Sequence, residues 1–235
     1  MIPLKSLAPR YSFPFVTLAL IAANVAVFFY QISLSPSGQE QLVLTYGLVP
    51  HNLQLGLSGQ IPLLPALIPI FTSMFLHAGW LHIIGNMWFL WVFGTDVEDR
   101  FGHFTYLFVY FICGIGSALT QTYFTWGSRL PEVGASGAIA GVLGAFMLFF
   151  PTTPVLTLIP LFIIWFTARI PAFVFVGIWF AVQFLSGVNS LNTTGHAAAN
   201  TGGVAWWAHV GGFILGFLLA IPKRIQRPAY YRPRP

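Results

Sequence analysis

Apolar residues run through this chain in blocks too long for the core of a soluble domain. A bilayer core of about 30 Å needs roughly 20 apolar residues at a helical rise of about 1.5 Å. Read with that ruler, the sequence predicts six spans: Phe13–Gln31, Leu81–Gly94, His103–Phe124, Ser136–Phe150, Ile170–Ser186 and Val204–Ile221. Two further apolar stretches are ambiguous. Ile61–Phe71 carries Pro62, Pro65 and Pro69, which break helical hydrogen bonding, and reads as part of a long interfacial loop from Ser33 to Gly79. Val155–Phe166 lies between Pro151, Pro154 and Arg169 and reads as a loop or half-buried hairpin.

The fourth span is short. Ser136 to Phe150 covers about 22 Å as a helix, so Ser136 should start below the outer surface. The backbone of Pro131–Gly134 must then dip into the membrane, where irregular structure needs shielding by protein or a wet cavity.

Composition agrees with the pattern. Hydrophobic residues make up 57% of the 235 positions and charged residues 6%, against about 25% charged in soluble domains. The expected fold is an all-α membrane bundle with an N-terminal tail (residues 1–12), a membrane domain (13–222) and a basic C-terminal tail (223–235). Lys5 and Arg10 before the first span resemble a signal sequence, but without a small-x-small cleavage site the segment reads as an uncleaved helix. Cationic residues favour the cytoplasmic side. With six spans, Lys5, Arg10, Arg100, Arg169, Lys223, Arg224, Arg227, Arg232 and Arg234 all fall inside, and Arg129 alone falls outside. Both termini are therefore expected in the cytoplasm. The basic residues serve topology, so no nucleic-acid partner is implied. Cys113 is the single cysteine, which excludes an internal disulfide and a cysteine-based metal site.

Candidate chemistry lies inside the apolar blocks. Ser136 sits in Gly134-Ala135-Ser136-Gly137, and His209 precedes Gly211-Gly212. Ser136, Ala140 and Gly144 share one helix face; His209, Gly212 and Gly216 share another. Faces of small residues let membrane helices approach closely. Packing of these two would bring the serine hydroxyl to the imidazole, as general-base activation requires. No acid lies in either span, so the expectation is a Ser–His dyad. Ser136 also lies near a helix N-terminus, whose free N–H groups can stabilise an oxyanion. His82 and Asn86 are four apart, share a face, and add two donors.

Each residue has a plainer reading. Serine in a Gly/Ala-rich membrane helix usually packs, and an intramembrane histidine also serves proton relays. Asn86 alone reads as helix–helix glue, and His77 as structural at a loop-to-helix junction. His51, His103 and His196 read as solvated loop or helix-end residues, and Asp96, Glu98, Asp99 and Arg100 as a solvated inner loop. The joint occurrence of Ser, His and Asn on three spans favours the catalytic reading. A zinc protease needs His-Glu-x-x-His, which is missing, and an aspartyl mechanism needs two acids sharing a proton. Neither a metal nor another cofactor is called for.

In these residues the chain resembles the rhomboid family of intramembrane serine proteases, from about Tyr46 to Leu219. The motifs that carry the resemblance are Thr72-Ser73-Met74-Phe75-Leu76-His77, His82 with Asn86, Val97-Glu98-Asp99-Arg100-Phe101-Gly102, Gly134-Ala135-Ser136-Gly137, and His209 with Gly212 and Gly216. The resemblance implies a six-helix rhomboid-like bundle in which Ser136 attacks and His209 acts as base, then acid. It implies an oxyanion hole of His82, Asn86 and the Ser136 N–H, with His77, Gly134, Gly137, Gly212 and Gly216 supporting the site. Glu98 and Arg100 would be structural, and residues Gly187–Gly203 a cap over the site. Substrates would be single-span transmembrane proteins in the lipid bilayer, cut near their outer end. A prokaryotic inner membrane is the expected location.

Two features depart from the family pattern. Ala140 stands where some members place an aromatic residue against the histidine, so support for His209 has to come from Phe213 or a neighbouring helix. The first outer loop also lacks the Trp-Arg pair that some members carry. Two rival classes fit the composition: an inactive relative that binds membrane proteins, and a small transporter using His82 and His209. Intact Ser136, His209, His82 and Asn86 count against the first. Lack of an internal repeat counts against the second.

Overall fold

A computed structural model describes residues 1–192 and 204–225. It is mostly helical. Helix α1 spans Phe15–Ser33 and is followed by α2 (Pro36–Tyr46), α3 (Pro50–Leu57), α4 (Leu63–Thr72) and a 3-10 turn at Ser73–Phe75. Helix α5 (Trp80–Phe89) continues through a π turn at Leu90–Gly94 into α6 (Thr95–Phe101). Then come α7 (His103–Phe124), α8 (Ser136–Phe149), α9 (Ala172–Asn192) and α10 (Trp206–Ile225).

Among the described residues, α1, α7, α9 and α10 are each long and apolar enough to cross a membrane. Leu63–Phe75 and Trp80–Phe101 form an apolar pair bent by 77°, and α8 is a shorter apolar helix of 14 residues. The predicted boundaries of α7 match the structure. α9 runs six residues past Ser186, so Gly187–Asn192, expected in the cap, are helical. The remainder of that expected cap, with His196, lies outside the described residues, as do Arg227, Arg232 and Arg234.

Three expectations need correction. Ser33–Gly79 is not a loop but three helices. Pro36 and Pro50 open α2 and α3, where a missing N–H costs nothing because no intrahelical acceptor exists there. Pro62 caps α4 and Pro65 falls in its first turn, so only Pro69 interrupts it. The all-α expectation also fails in part. Strands β1 (Ile2–Ser6), β2 (Pro154–Leu161) and β3 (Ile164–Pro171) form an antiparallel sheet in the order β1-β2-β3. The Val155–Phe166 stretch is thus a hairpin, and the expected N-terminal tail supplies its third strand.

The third correction concerns the acidic cluster. Asp96 and Glu98 are 0% exposed and lie within α6, not in a solvated loop. Glu98 accepts hydrogen bonds from the N–H groups of Val16 (2.9 Å) and Thr17 (2.7 Å) and from the Thr17 hydroxyl (2.7 Å). A carboxylate placed at those free N–H groups caps the start of α1 and suits its dipole. His103, the first residue of α7 and partly exposed, lies with Nδ1 2.6 Å from the same carboxylate. Asp96 pairs with Arg10. Arg100 donates to the Lys223 carbonyl (3.0 Å) and lies over the Phe149 ring.

The core is centred on α8, of which most residues are buried. A Cβ on Gly212 would meet the Gly137 carbonyl, one on Gly216 the Gly141 carbonyl, and one on Gly144 the Phe213 carbonyl. The backbones of α8 and α10 therefore touch. The α8 residues in that contact are Gly144, as predicted, with Gly137 and Gly141 in place of Ser136 and Ala140. Ser136 is thereby left at the rim, half-buried.

Candidate functional site

Ser136 is the first residue of α8. The loop before it is tied down by main-chain bonds: Glu132 and Leu48 exchange N–H···O contacts of 2.8 and 3.0 Å, and Gly134 N–H donates to the Ser73 carbonyl at 2.9 Å. Gly134 has φ +129°, and a Cβ there would lie 2.8 Å from the His82 ring. Both facts demand glycine. No side chain caps α8, so its first-turn N–H groups remain available.

The Ser136 hydroxyl lies 2.8 Å from His209 Nε2. His209 Nδ1 lies 2.7 Å from Gln183 Oε1 on α9. An amide oxygen only accepts, so Nδ1 carries the proton and Nε2 is left as acceptor for the serine O–H. Gln183 and His209 are both buried. The Trp179 ring, one turn from Gln183, lies 5.8 Å from the imidazole, and Trp206 meets it edge-on at 6.4 Å. The neighbouring helix α9 thus gives the support that Ala140 does not. Phe213 stacks on Phe180 instead (4.4 Å).

Gln183 and Trp179 were not singled out from the sequence. A signal existed: a lone glutamine in an apolar span is costly unless it is bonded, and Trp179 sits four residues before it on the same face.

His82 and Asn86 on α5 face the same hollow. It is lined by Leu81, His82, Gly85, Asn86, Phe89, Ser136, Ile139, Trp179, Gln183 and His209, and so lies between α5 and α9. His82 Nδ1 accepts from Ala78 N–H (3.3 Å), which leaves Nε2 as a donor. Asn86 is buried, and its Nδ2 has no acceptor among the described residues. A buried donor without a partner costs about 1–3 kcal/mol, a cost that an incoming anion would relieve.

His77 is fully buried. Its main chain exchanges bonds with the Gln31 amide on α1 (2.8 and 3.3 Å), and its ring lies 5.1 Å from His82. Gly137 packs on Ser117 of α7, while Gly212 and Gly216 make the α8–α10 contact.

Outside the spans, Glu132 bonds to Thr125 (3.2 Å) and to Gln121. Gln121 Oε1 accepts from the Ala208 N–H (3.0 Å), next to His209. Burial raises the Glu132 carboxyl from 4.5 to about 7, against the opposing effect of its bonds to Gln121 and Thr125.

A serine held against an oriented imidazole, with a helix N-terminus and two spare donors around one hollow, is equipped for acyl transfer. Residues 65–225 match the Rhomboid domain family. The chain belongs to the rhomboid family. Rhomboid protease AarA of Providencia stuartii is 30% identical over 220 residues, covering 87% of this rhomboid and 71% of that protein. Rhomboid protein 1, mitochondrial, of Saccharomyces cerevisiae is 32% identical over 170 residues, or 68% and 44% of the two chains. RHOMBOID-like protein 1 of Arabidopsis thaliana is 32% identical over 161 residues, or 68% and 35%. The chain therefore spans less than half the length of the last two relatives. Membership and the apolar helices make it an integral membrane protein. Relatives named mitochondrial or chloroplastic leave the expected prokaryotic inner membrane as a proposal.

Proposed function

We propose that this rhomboid is an intramembrane serine endopeptidase that cuts transmembrane segments of single-span membrane proteins with a Ser136–His209 dyad. The 2.8 Å contact between Ser136 Oγ and His209 Nε2 is the observation that carries the reading. His209 Nε2 takes the hydroxyl proton as Ser136 Oγ adds to the scissile carbonyl. His82 Nε2, Asn86 Nδ2 and the Ser136 N–H donate to the oxyanion. His209 then gives its proton to the leaving amine as the C–N bond breaks; water attacks the acyl-enzyme with His209 again as base, and the ester bond breaks as His209 returns the proton to Ser136 Oγ and the new carboxyl terminus leaves. Gln183 keeps the imidazole in the required tautomer throughout. Its neutral amide lends the imidazolium less help than a carboxylate would.

A substrate helix enters from lipid through the hollow between α5 and α9. It must unwind before its carbonyl can be reached, so small or helix-breaking residues near the cut favour cleavage. In this reading the bundle crosses six times, with α8 as a short crossing and α5–α6 as one long one. Lys5 and Lys223 face the cytoplasm of a prokaryotic cell, and residues 1–12 and 223–235 flank the membrane domain.

Cleavage of a panel of single-span reporters in proteoliposomes tests this. Wild type should cut at least one near its outer end, and Ser136→Ala none. Retained binding without cleavage by wild type would instead favour the inactive-binder class.

A further inference from the structure

The hairpin β2–β3 is the largest feature that the proposed chemistry does not use. Its turn residues Phe162 and Ile163 are 99% and 95% exposed. From Leu158 to Phe166 every side chain is apolar, and Leu161, Ile164, Trp165 and Phe166 are exposed as well. Behind this tip lies a row of different character. Lys5, Leu156 and Arg169 are cross-strand partners, and both cations are exposed.

The direction of the hairpin is fixed by β1. At one end of the strand, Leu7 N–H donates to the Pro154 carbonyl, and Arg10 pairs with Asp96 of α6. At the other end, Trp88 Nε1 donates to the Pro3 carbonyl at 2.6 Å. Trp88 lies eight residues nearer the Trp80 end of the helix than Asp96, about 12 Å along its axis. The sheet therefore climbs α5–α6 from its Phe101 end toward its middle. β2 continues in that direction past the end of β1, and the tip leads.

We propose that the β2–β3 hairpin is a re-entrant membrane element whose tip lies among lipid acyl chains, with Lys5 and Arg169 at the headgroups. The proposal rests on α5–α6 crossing the bilayer and not on the catalytic reading. The six residue steps from Leu156 to Phe162 span about 20 Å. Even with a tilt near 45°, the tip rises about 14 Å above the cation row, close to half of a 30 Å core. Apolar side chains there gain from leaving water, and lysine and arginine favour the anionic surface. An open sheet edge is costly in hydrocarbon. Pairing with β2 satisfies one edge of β3; the outer edge stays open near the tip, a cost that burial of the apolar side chains from Leu161 to Phe166 must offset, and the Arg169 end stays wet.

Site-directed spin labelling of full-length protein in liposomes tests this. In a Cys113→Ala background, Phe162→Cys, Ile163→Cys and Arg169→Cys each receive a nitroxide. The ratio of oxygen to nickel-chelate collision is then measured. The expected ratio is several-fold higher at positions 162 and 163 than at 169. Nickel access at 162 and 163 equal to that at 169 would overturn the proposal. Spin–spin broadening that vanishes on dilution with unlabelled protein would also overturn it, by showing a second copy over the tip. Quenching of Trp165 by brominated lipids, taken as wild type minus Trp165→Phe, reads the same depth without a label. Absence of that quenching counts against insertion.

Discussion

At the scale of single residues, the account turns on which nitrogen carries a proton. His209 is held from both sides, by Gln183 at Nδ1 and by Ser136 at Nε2. Loss of the Gln183 bond should cost about 1.4 kcal/mol, or tenfold in rate. Gln183→Leu is therefore expected to slow acylation of Ser136 about tenfold, as measured by the rate of active-site labelling of folded protein. Ser136 and His209 were legible in the sequence because a serine and a histidine interrupt glycine-rich apolar runs. Gln183 was not, because its partner is 26 positions away and only tertiary packing brings the two together. Asp96 and Glu98 misled for a related reason: a charge cluster between apolar spans reads as solvated, yet α1 supplies the N–H groups that make burial of Glu98 affordable.

Glu132 belongs to the same scale. Its carboxyl is raised from 4.5 to about 7 in the folded protein, so the folded state holds its proton more tightly than the unfolded chain. Stability from this group is complete below about pH 4.5 and declines as pH rises through about 7. Melting temperatures of wild type should fall over that window relative to Glu132→Gln, whose own profile should be flatter. Parallel profiles of the two proteins would remove Glu132 from the account.

At the scale of elements, the α8–α10 contact sets how close the serine and histidine come. Gly137, Gly141, Gly144, Gly212 and Gly216 allow backbone against backbone, the close approach that small residues give membrane helices. A Gly216→Val substitution has no room: its Cβ lands on the Gly141 carbonyl. Overpacking of this kind costs about 1–3 kcal/mol. The expected result is a lower melting temperature in detergent and loss of labelling at Ser136, since the helices must part. Apolar block length located most of these helices within a few residues. It missed α2–α4 because prolines at helix starts look the same in sequence as prolines that break helices. It could not choose between loop and hairpin for Val155–Phe166, because the third strand comes from the other end of the chain.

At the scale of the whole molecule, the count of crossings decides which groups face which side. If α8 and α5–α6 both cross, Lys5 and Lys223 share one face and Arg129 lies on the other. In a Cys113→Ala background, Lys5→Cys and Lys223→Cys should be modified by a membrane-impermeant maleimide only after the inner face is opened. Arg129→Cys should react in sealed cells. Modification of Lys5→Cys and Lys223→Cys from opposite faces would require an odd number of crossings. Family and general architecture were readable from motif order and apolar block length. The sheet and the buried acid cluster were not, since both join segments from far apart in the chain.

The central claim is that Ser136 is an activated nucleophile, and covalent labelling tests it most directly. Purified protein is treated with a fluorophosphonate in liposomes, and the adduct is mapped by mass spectrometry. Wild type should carry one adduct, on Ser136. Ser136→Ala should carry none, and His209→Ala should label at least about a thousandfold more slowly. A folded wild type that stays unlabelled, or an adduct on another serine, would contradict the account.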